Sequence, residues 1–375
     1  MPNPPLLSML YKQTVNLPII FQLDEDNIDK IGFHLKRNFL TFKRVVVLSG
    51  VNFSFPIAQK MCEENKWHHI SIDEDANHEL VNRLKQEIVK ERYNLIVGVG
   101  GGNIIDIGKR ISFLTNINFI AAPTIISNDG LISPISVIRN ADGIRESLPG
   151  QMPMGIVVDL SIIAQSPVKY LKASAGDILT NLSATNDWIL AYENNGDKIN
   201  DIAYHMSRNS ALNLIYFSNI DFSYKPFIKQ IVQGQLYSGL AMALAGESRP
   251  CSGSEHLISH AIDYMKLTNN VLHGTQVASI SLFSLFLQNK LTEETMDYAR
   301  QVEIPFYFHE LSTEIKENFA LIFQLSQRMR PGRVTVLDTI TEDEFISRYD
   351  DYCHFVSEQT QHKRKPAKMP AVIGK

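Results

Sequence analysis

Short apolar runs alternate with amphipathic stretches through the first part of the chain, and the alternation predicts strands separated by helices. Ile28, Ile31 and Leu35 recur at roughly helical spacing across 26–39, with Leu40 just beyond. Arg44-Val-Val-Val-Leu-Ser-Gly50 is a β-branched run closed by glycine, the pattern of a buried strand and its exit turn. A helix over 56–65, a strand from His69 to Ile72 and an amphipathic helix over 79–92 follow. The next strand, from Asn94, runs into Gly98-Val-Gly100-Gly101-Gly102, with a helix opening near Asn103. Further strands are expected over 118–124, 132–138 and 155–160, with a hairpin or loop at Arg139-Asn-Ala-Asp-Gly-Ile144. Such alternation argues for a mostly parallel sheet with helices on both faces. After Pro167 nearly every stretch has helical periodicity. The reading is an α/β domain over 1–165 followed by an all-α domain over 166–375.

Length and composition agree with two soluble domains: 375 residues, 44% hydrophobic and 20% charged. A net charge of -4 and a pI near 6.3 leave no electrostatic case for nucleic acid. The three cysteines, Cys62, Cys251 and Cys353, form no CxxC pair and point to a reducing compartment. No apolar run reaches membrane-spanning length, and the start lacks the basic region and apolar core of a signal peptide. A cytoplasmic protein is expected. The basic run from His362 to Lys368 reads as a solvated terminus.

Two stretches carry candidate chemistry. At Gly100, Gly101 and Gly102, strand, turn and helix follow in the order that lets backbone N–H groups approach a pyrophosphate at a helix N-terminus. The third glycine of the GxGxxG pattern is replaced by Asn103. Thr124, Ser127, Asp129 and Ser133 follow a later strand, where ligands sit in open parallel sheets, although Asn-Asp-Gly is also an ordinary turn. The second stretch is Arg249-Pro-Cys-Ser-Gly-Ser-Glu-His-Leu-Ile-Ser-His260, with His273-Gly274 beyond it. His256 and His260 share one helix face, which suits either a hydrogen-bonded pair or metal ligation. A three-ligand site also needs a carboxylate. Asp177 is available, at a predicted helix start where an aspartate ordinarily serves as a cap. Asn186 and Asp187 are expected further along the same helix.

Gly-Gly-Gly-x-x-x-Asp (100–106), Pro-Thr-x-x-Ser-x-Asp-Gly (123–130), Gly-Asp-x-x-x-Asn (176–181), the 249–260 run and His-Gly (273–274) together resemble the sn-glycerol-1-phosphate dehydrogenases. Those lie within the group of iron-containing alcohol dehydrogenases, glycerol dehydrogenases and dehydroquinate synthases. The resemblance spans roughly 40–340. It implies a dehydroquinate synthase-like fold, with Asp177, His256 and His273 as zinc ligands. Gly102, Asn103, Asp106, Thr124, Ser127 and Ser133 would contact NADH or NADPH, with Gly100 and Gly101 in the same turn. Asp129 and His260 would contact substrate and take part in catalysis, and Asp177 would also meet the substrate. The implied reaction interconverts dihydroxyacetone phosphate and sn-glycerol 1-phosphate, in a homo-oligomer, with Fe2+ or Ni2+ as alternative ions. Asn181 stands where iron-dependent alcohol dehydrogenases carry a further histidine, which favours zinc. Arg249, Asn181, Ser254 and Arg333 are candidates for the phosphate. A polyol or aldehyde dehydrogenase without phosphate specificity, an NAD-retaining cyclase and a non-catalytic nucleotide-binding protein are the other readings.

Overall fold

The computed structural model describes residues 17–143 and 145–364, with the backbone alone for Asp129 and for residues 360–364. The start of the chain and residues 365–375, on which the readings of a missing leader and a solvated tail bear, lie outside the described residues. The first regular elements are β1 (Ile20–Asp24), α1 (Ile31–Arg37), β2 (Val45–Gly50), α2 (Ser54–Asn65), β3 (His68–Ile72), α3 (His78–Lys90), β4 (Leu95–Gly100), α4 (Gly102–Thr115) and β5 (Asn118–Pro123). A hairpin, β6 (Ile135–Arg139) and β7 (Arg145–Pro149), precedes β8 (Gly155–Asp159).

The six-stranded sheet is parallel throughout, in the order β1-β8-β5-β4-β2-β3. Burial on both faces explains its apolar runs. Val45 and Val47 of β2 pack with Leu95, Val97 and Ile120 on one face, above Ile31, Ala58 and Met61 of the covering helices. Val46 and Leu48 pack with Ile96, Ala121 and Ile156 on the other, in a core that continues into the helical region. Each valine, leucine, isoleucine or methionine among them contributes about 1.5–3 kcal/mol on burial.

The chain winds outward from β2 to β3, then crosses back so that β4 lies on the other side of β2. The carboxyl ends of β2 and β4 therefore flank a topological switch point, where open α/β sheets form their ligand crevice.

Two elements differ from the sequence reading. The edge strand β1 is unforeseen; only Ile20 in it is fully buried, so its side chains lack a strong strand pattern. The run at 132–138 does not extend the main sheet. It forms β6 from Ile135 and pairs antiparallel with β7 in a separate ribbon, tied to the loop before α3 by the Arg139 N–H on the Ala76 carbonyl (2.8 Å).

Among the described residues, every regular element after Asp159 is helical. These are α5 (Leu160–Ile163), α6 (Val168–Leu179), α7 (Asn181–Asn195), α8 (Asp201–Ile215), α9 (Lys225–Ala245), α10 (Ser254–Tyr264) and α11 (His273–Leu287). Then come α12 (Glu293–Gln301), α13 (Thr313–Glu317), α14 (Phe319–Ser326) and α15 (Glu342–Arg364). No described helix is long and apolar enough to cross a membrane.

Candidate active site

The turn between β4 and α4 is built from backbone. Gly101 caps α4 in an extended conformation, with no side-chain hydrogen bond closing the helix end. A Cβ added at Gly101 or Gly102 meets nothing within 4 Å, so open space lies beside the first turn of α4, the helix end that favours an anion. Asn103, predicted to contact the nucleotide, has its amide engaged elsewhere. It accepts from the Ala76 N–H (2.6 Å) and donates to the Glu74 carbonyl (2.9 Å), fastening the turn to the loop before α3. Close helix-to-strand packing falls instead to Gly108, where a Cβ would come within 2.2 Å of the Phe119 ring.

The loop after β5 continues the crevice. Thr124 is buried and its N–H donates to the Gly100 carbonyl (3.0 Å), joining the ends of β4 and β5. Ser127 is half-buried and Ser133 buried. The side chain of Asp129 lies outside the described residues, so its expected contact with substrate has no structural account. The loop is held by a residue the sequence reading passed over. Lys109, fully buried, extends from α4 and donates to the carbonyls of Gly130, Ser133 and Ile135, while pairing with Asp106 at 3.0 Å. A lysine on an otherwise isoleucine-rich helix face was the available signal. Asp106, also predicted at the nucleotide, thus lies against Lys109; burial raises its pKa, and Lys109 opposes the rise.

Three side chains from distant parts of the sequence meet on the helical side. Asp177, His256 and His273 each place one ligand atom within 4.8 Å of the others. Asp177 lies in the last turn of α6, not at a helix start, and Asn186 and Asp187 belong to the next helix, α7. The small residues that suggested a start serve close packing: a Cβ at Gly176 would come within 2.8 Å of Ala278 and 3.0 Å of the Gly274 carbonyl oxygen. Gly274 is confined further, since a Cβ there would lie 2.1 Å from the Ala173 carbonyl oxygen and 2.9 Å from that of Ser127. The His273-Gly274 step therefore touches both α6 and the loop after β5, bringing the three side chains beside the sheet crevice.

A second layer orients these groups. Gln235 of α9 donates to Asp177 Oδ2 (3.3 Å) and to the carbonyl and hydroxyl oxygens of Ser174 (3.0 Å each). His256 Nδ1 lies 2.9 Å from Glu255 Oε1, which leaves Nε2 to face a ligand. Glu255 is fully buried and accepts from the Gly253 N–H (2.6 Å) and the Ser183 hydroxyl (2.7 Å). Asp187 accepts from the N–H groups of Ser254 (2.6 Å) and Val336 (2.8 Å). Burial pushes the Glu255 carboxyl up to about 7, and burial followed by the charge of Glu255 pushes Asp187 up to about 6.

Burial drives the histidines the other way. His256 falls to about 3, with Arg330 and Arg333 adding to the effect, and His273 to about 4, with His256 adding. Neutral imidazoles and a carboxylate form an N2O donor set that fits zinc or iron with a coordination position left open. His260 stands apart from this set, its ring centroid 6.2 Å from that of His256 against 5.2 Å for His273. Burial, then His256 and Arg330, hold its pKa well below the ordinary value.

The fold, a parallel sheet joined to a helical region, is shared with solved glycerol dehydrogenases and iron-containing alcohol dehydrogenases. The sequence profile of the iron-containing alcohol dehydrogenase family matches residues 22–167. The fold superposes on a probable glycerol dehydrogenase from Sinorhizobium meliloti with a TM-score of 0.74 at 21% identity, covering 92% of this chain and 99% of that one. Glycerol dehydrogenase from Schizosaccharomyces pombe gives 0.76 at 18%, covering 96% and 95%. In sequence the chain is 31% identical to the glycerol-1-phosphate dehydrogenase (NAD(P)+) of Thermoplasma volcanium, over 87% of this chain and 93% of the relative. It is likewise 31% identical to the enzyme of that name from Thermococcus sibiricus, over 89% and 96%. The chain belongs to the glycerol-1-phosphate dehydrogenase family.

Proposed function

We propose that the protein is a zinc-dependent NAD(P)H oxidoreductase that interconverts dihydroxyacetone phosphate and sn-glycerol 1-phosphate. The observation that carries the reading is the convergence of Asp177, His256 and His273 within 4.8 Å of one another, in a chain whose relatives bear that enzyme's name over most of their length. Asp177, His256 and His273 would hold the ion, with Gln235 and Glu255 orienting the first two. When bound, the ion supplies Lewis acidity at a carbonyl and the dinucleotide supplies a hydride.

The remaining work is done by the protein's own groups. Gly100, Gly101 and Gly102 admit the pyrophosphate to the N–H groups of α4, and Thr124, Ser127 and Ser133 orient the nicotinamide end. Asp129 and His260 hold the substrate hydroxyls. His260, kept neutral by its surroundings, would relay a proton drawn from water to the alkoxide left by hydride transfer, or a water would deliver that proton directly.

The test is oxidation of NADH and NADPH with dihydroxyacetone phosphate, with and without zinc, beside unphosphorylated dihydroxyacetone, followed by chiral analysis of the product. Zinc-dependent turnover of the phosphate to the sn-1 product is expected. Turnover of dihydroxyacetone alone would transfer the enzyme to the unphosphorylated polyols, and turnover with neither would end the reading.

A further inference from the structure

Three arginines converge on the segment that leads into α10. Arg330 and Arg333 both donate to the Ser248 hydroxyl, and Arg333 also donates to the Ser252 carbonyl (2.6 Å). Arg249 reaches the Val334 carbonyl (3.2 Å). Arg333 thus holds the Ser252 carbonyl four residues before His256, beside the first turn of the helix that carries that imidazole.

The four phosphate candidates of the sequence separate here. Arg249 is paired with Asp197 and lies 3.8 Å from Glu247. The Asn181 amide donates to the hydroxyls of Ser210 (2.8 Å) and Ser238 (2.7 Å). The Ser254 N–H is taken by Asp187. Arg333 alone of the four is a cation whose hydrogen bonds, among the described residues, go to neutral oxygens, with no carboxylate within ion-pair distance. Burial first, then Arg330 and Arg249, hold its guanidinium down to about 10. Guanidinium groups gathered in a poorly solvated place repel one another, and a dianion between them removes that cost. Beside Arg333, the Ser252 hydroxyl is buried without a hydrogen-bond partner.

We propose that Arg333 and Arg330, with the Ser252 hydroxyl, form the subsite that takes the phosphate group of the substrate. The assignment rests on the dehydrogenase reading above and names what separates a phosphorylated from a free polyol in this site. The planar guanidinium fork matches two phosphate oxygens, and the serine adds a neutral donor.

The experiment uses the zinc-loaded full chain and the Arg333→Met, Arg333→Lys and Arg330→Met variants. Kinetics with dihydroxyacetone phosphate and with dihydroxyacetone are measured beside zinc content and calorimetric titration of inorganic phosphate. Losing a desolvated charge partner is expected to raise KM for the phosphate about 100-fold in Arg333→Met, with part of the loss restored in Arg333→Lys. Values for dihydroxyacetone are expected to move less than about threefold, since it carries no group for the subsite. Equal losses on both substrates with loss of zinc would make Arg333 a pin for the 248–252 segment and overturn the proposal; so would an unchanged KM. If the natural chain turns over neither substrate, phosphate titration still decides: binding abolished by Arg333→Met keeps the subsite while the reaction assignment falls. Phosphate binding that is absent, or equal in both proteins, removes the subsite whatever the turnover.

Discussion

At the end of β4 the protein presents bare backbone, and in the Asp-His-His pocket it presents a layered arrangement of side chains. The glycine turn is made by one short stretch, is open to space at Gly101 and Gly102, and uses the direction of a helix to favour an anion. The pocket draws on α6, α9, α10 and α11, and its geometry depends on Gln235, Glu255, Ser183 and Asp187 behind the three clustered side chains. The first kind of site depends on few contacts outside its own stretch, chiefly the Asn103 amide on the loop before α3 and the Thr124 N–H on the Gly100 carbonyl. The second is only as good as its supporting contacts.

The largest expected effect comes from breaking the pocket directly. His256→Ala should abolish zinc retention and lower turnover by at least about a thousandfold, with dinucleotide affinity unchanged. Zinc analysis beside fluorescence titration with NADH checks this; a parallel loss of NADH binding would show that the two regions are not independent. Glu255→Gln keeps the shape while weakening the acceptor behind His256, and should cost about 10- to 100-fold in zinc affinity, measured by competition with a chelator. At the turn, Gly101→Ala should cost no more than about 1 kcal/mol of stability, the difference between glycine and alanine at a helix N-cap, because the added methyl meets no protein atom. It should raise the dissociation constant for NADH about tenfold by standing where the pyrophosphate approaches. An unchanged NADH constant would place the dinucleotide elsewhere.

The smallest effect is a flat line. The cluster imidazoles are neutral in the folded, metal-free protein down to about 4 for His273 and about 3 for His256, so protons compete little with zinc above that range. Zinc affinity should therefore change little in its histidine contribution between pH 7 and about pH 5. Stability follows the same shifts. Each imidazole binds fewer protons folded than unfolded below its ordinary value of 6.5. The metal-free fold therefore loses stability as pH falls from there, the His273 part levelling off below about 4 and the His256 part below about 3. Thermal denaturation of the stripped protein at stepped pH, compared with His273→Ala, isolates this; a matching slope in the variant would contradict it.

The contrast between the regions also decides what could be read without coordinates. The turn was visible because glycines after a β-branched run leave a local mark. The pocket was visible only in part: the two histidines and Asp177 are chemically conspicuous, and the family motif names them together. Glu255 was in that motif, but no spacing rule tells that its carboxylate meets the neighbouring imidazole while a serine from α7 meets its other oxygen. Gln235 carries no signal at all, since a glutamine on α9 becomes a partner of Asp177 only through the packing of α9 against α6. Asn103 illustrates the reverse case, a conspicuous polar residue in a nucleotide motif whose amide serves the fold. Strand β1 was hidden because only Ile20 in it is fully buried, so its side chains carry little strand pattern.

The lysine at the centre of α4 gives the cleft a fixed gauge. One rigid rod starts at Gly102 and, about two turns later, grips the 130–135 loop through Lys109, a span of about 10 Å. A dinucleotide laid along it would meet its phosphate support and its nicotinamide support at a spacing set by a single helix. If both supports serve it, neither could drift without carrying the other, and the reach of the cofactor toward the Asp-His-His pocket would be set by one piece of secondary structure.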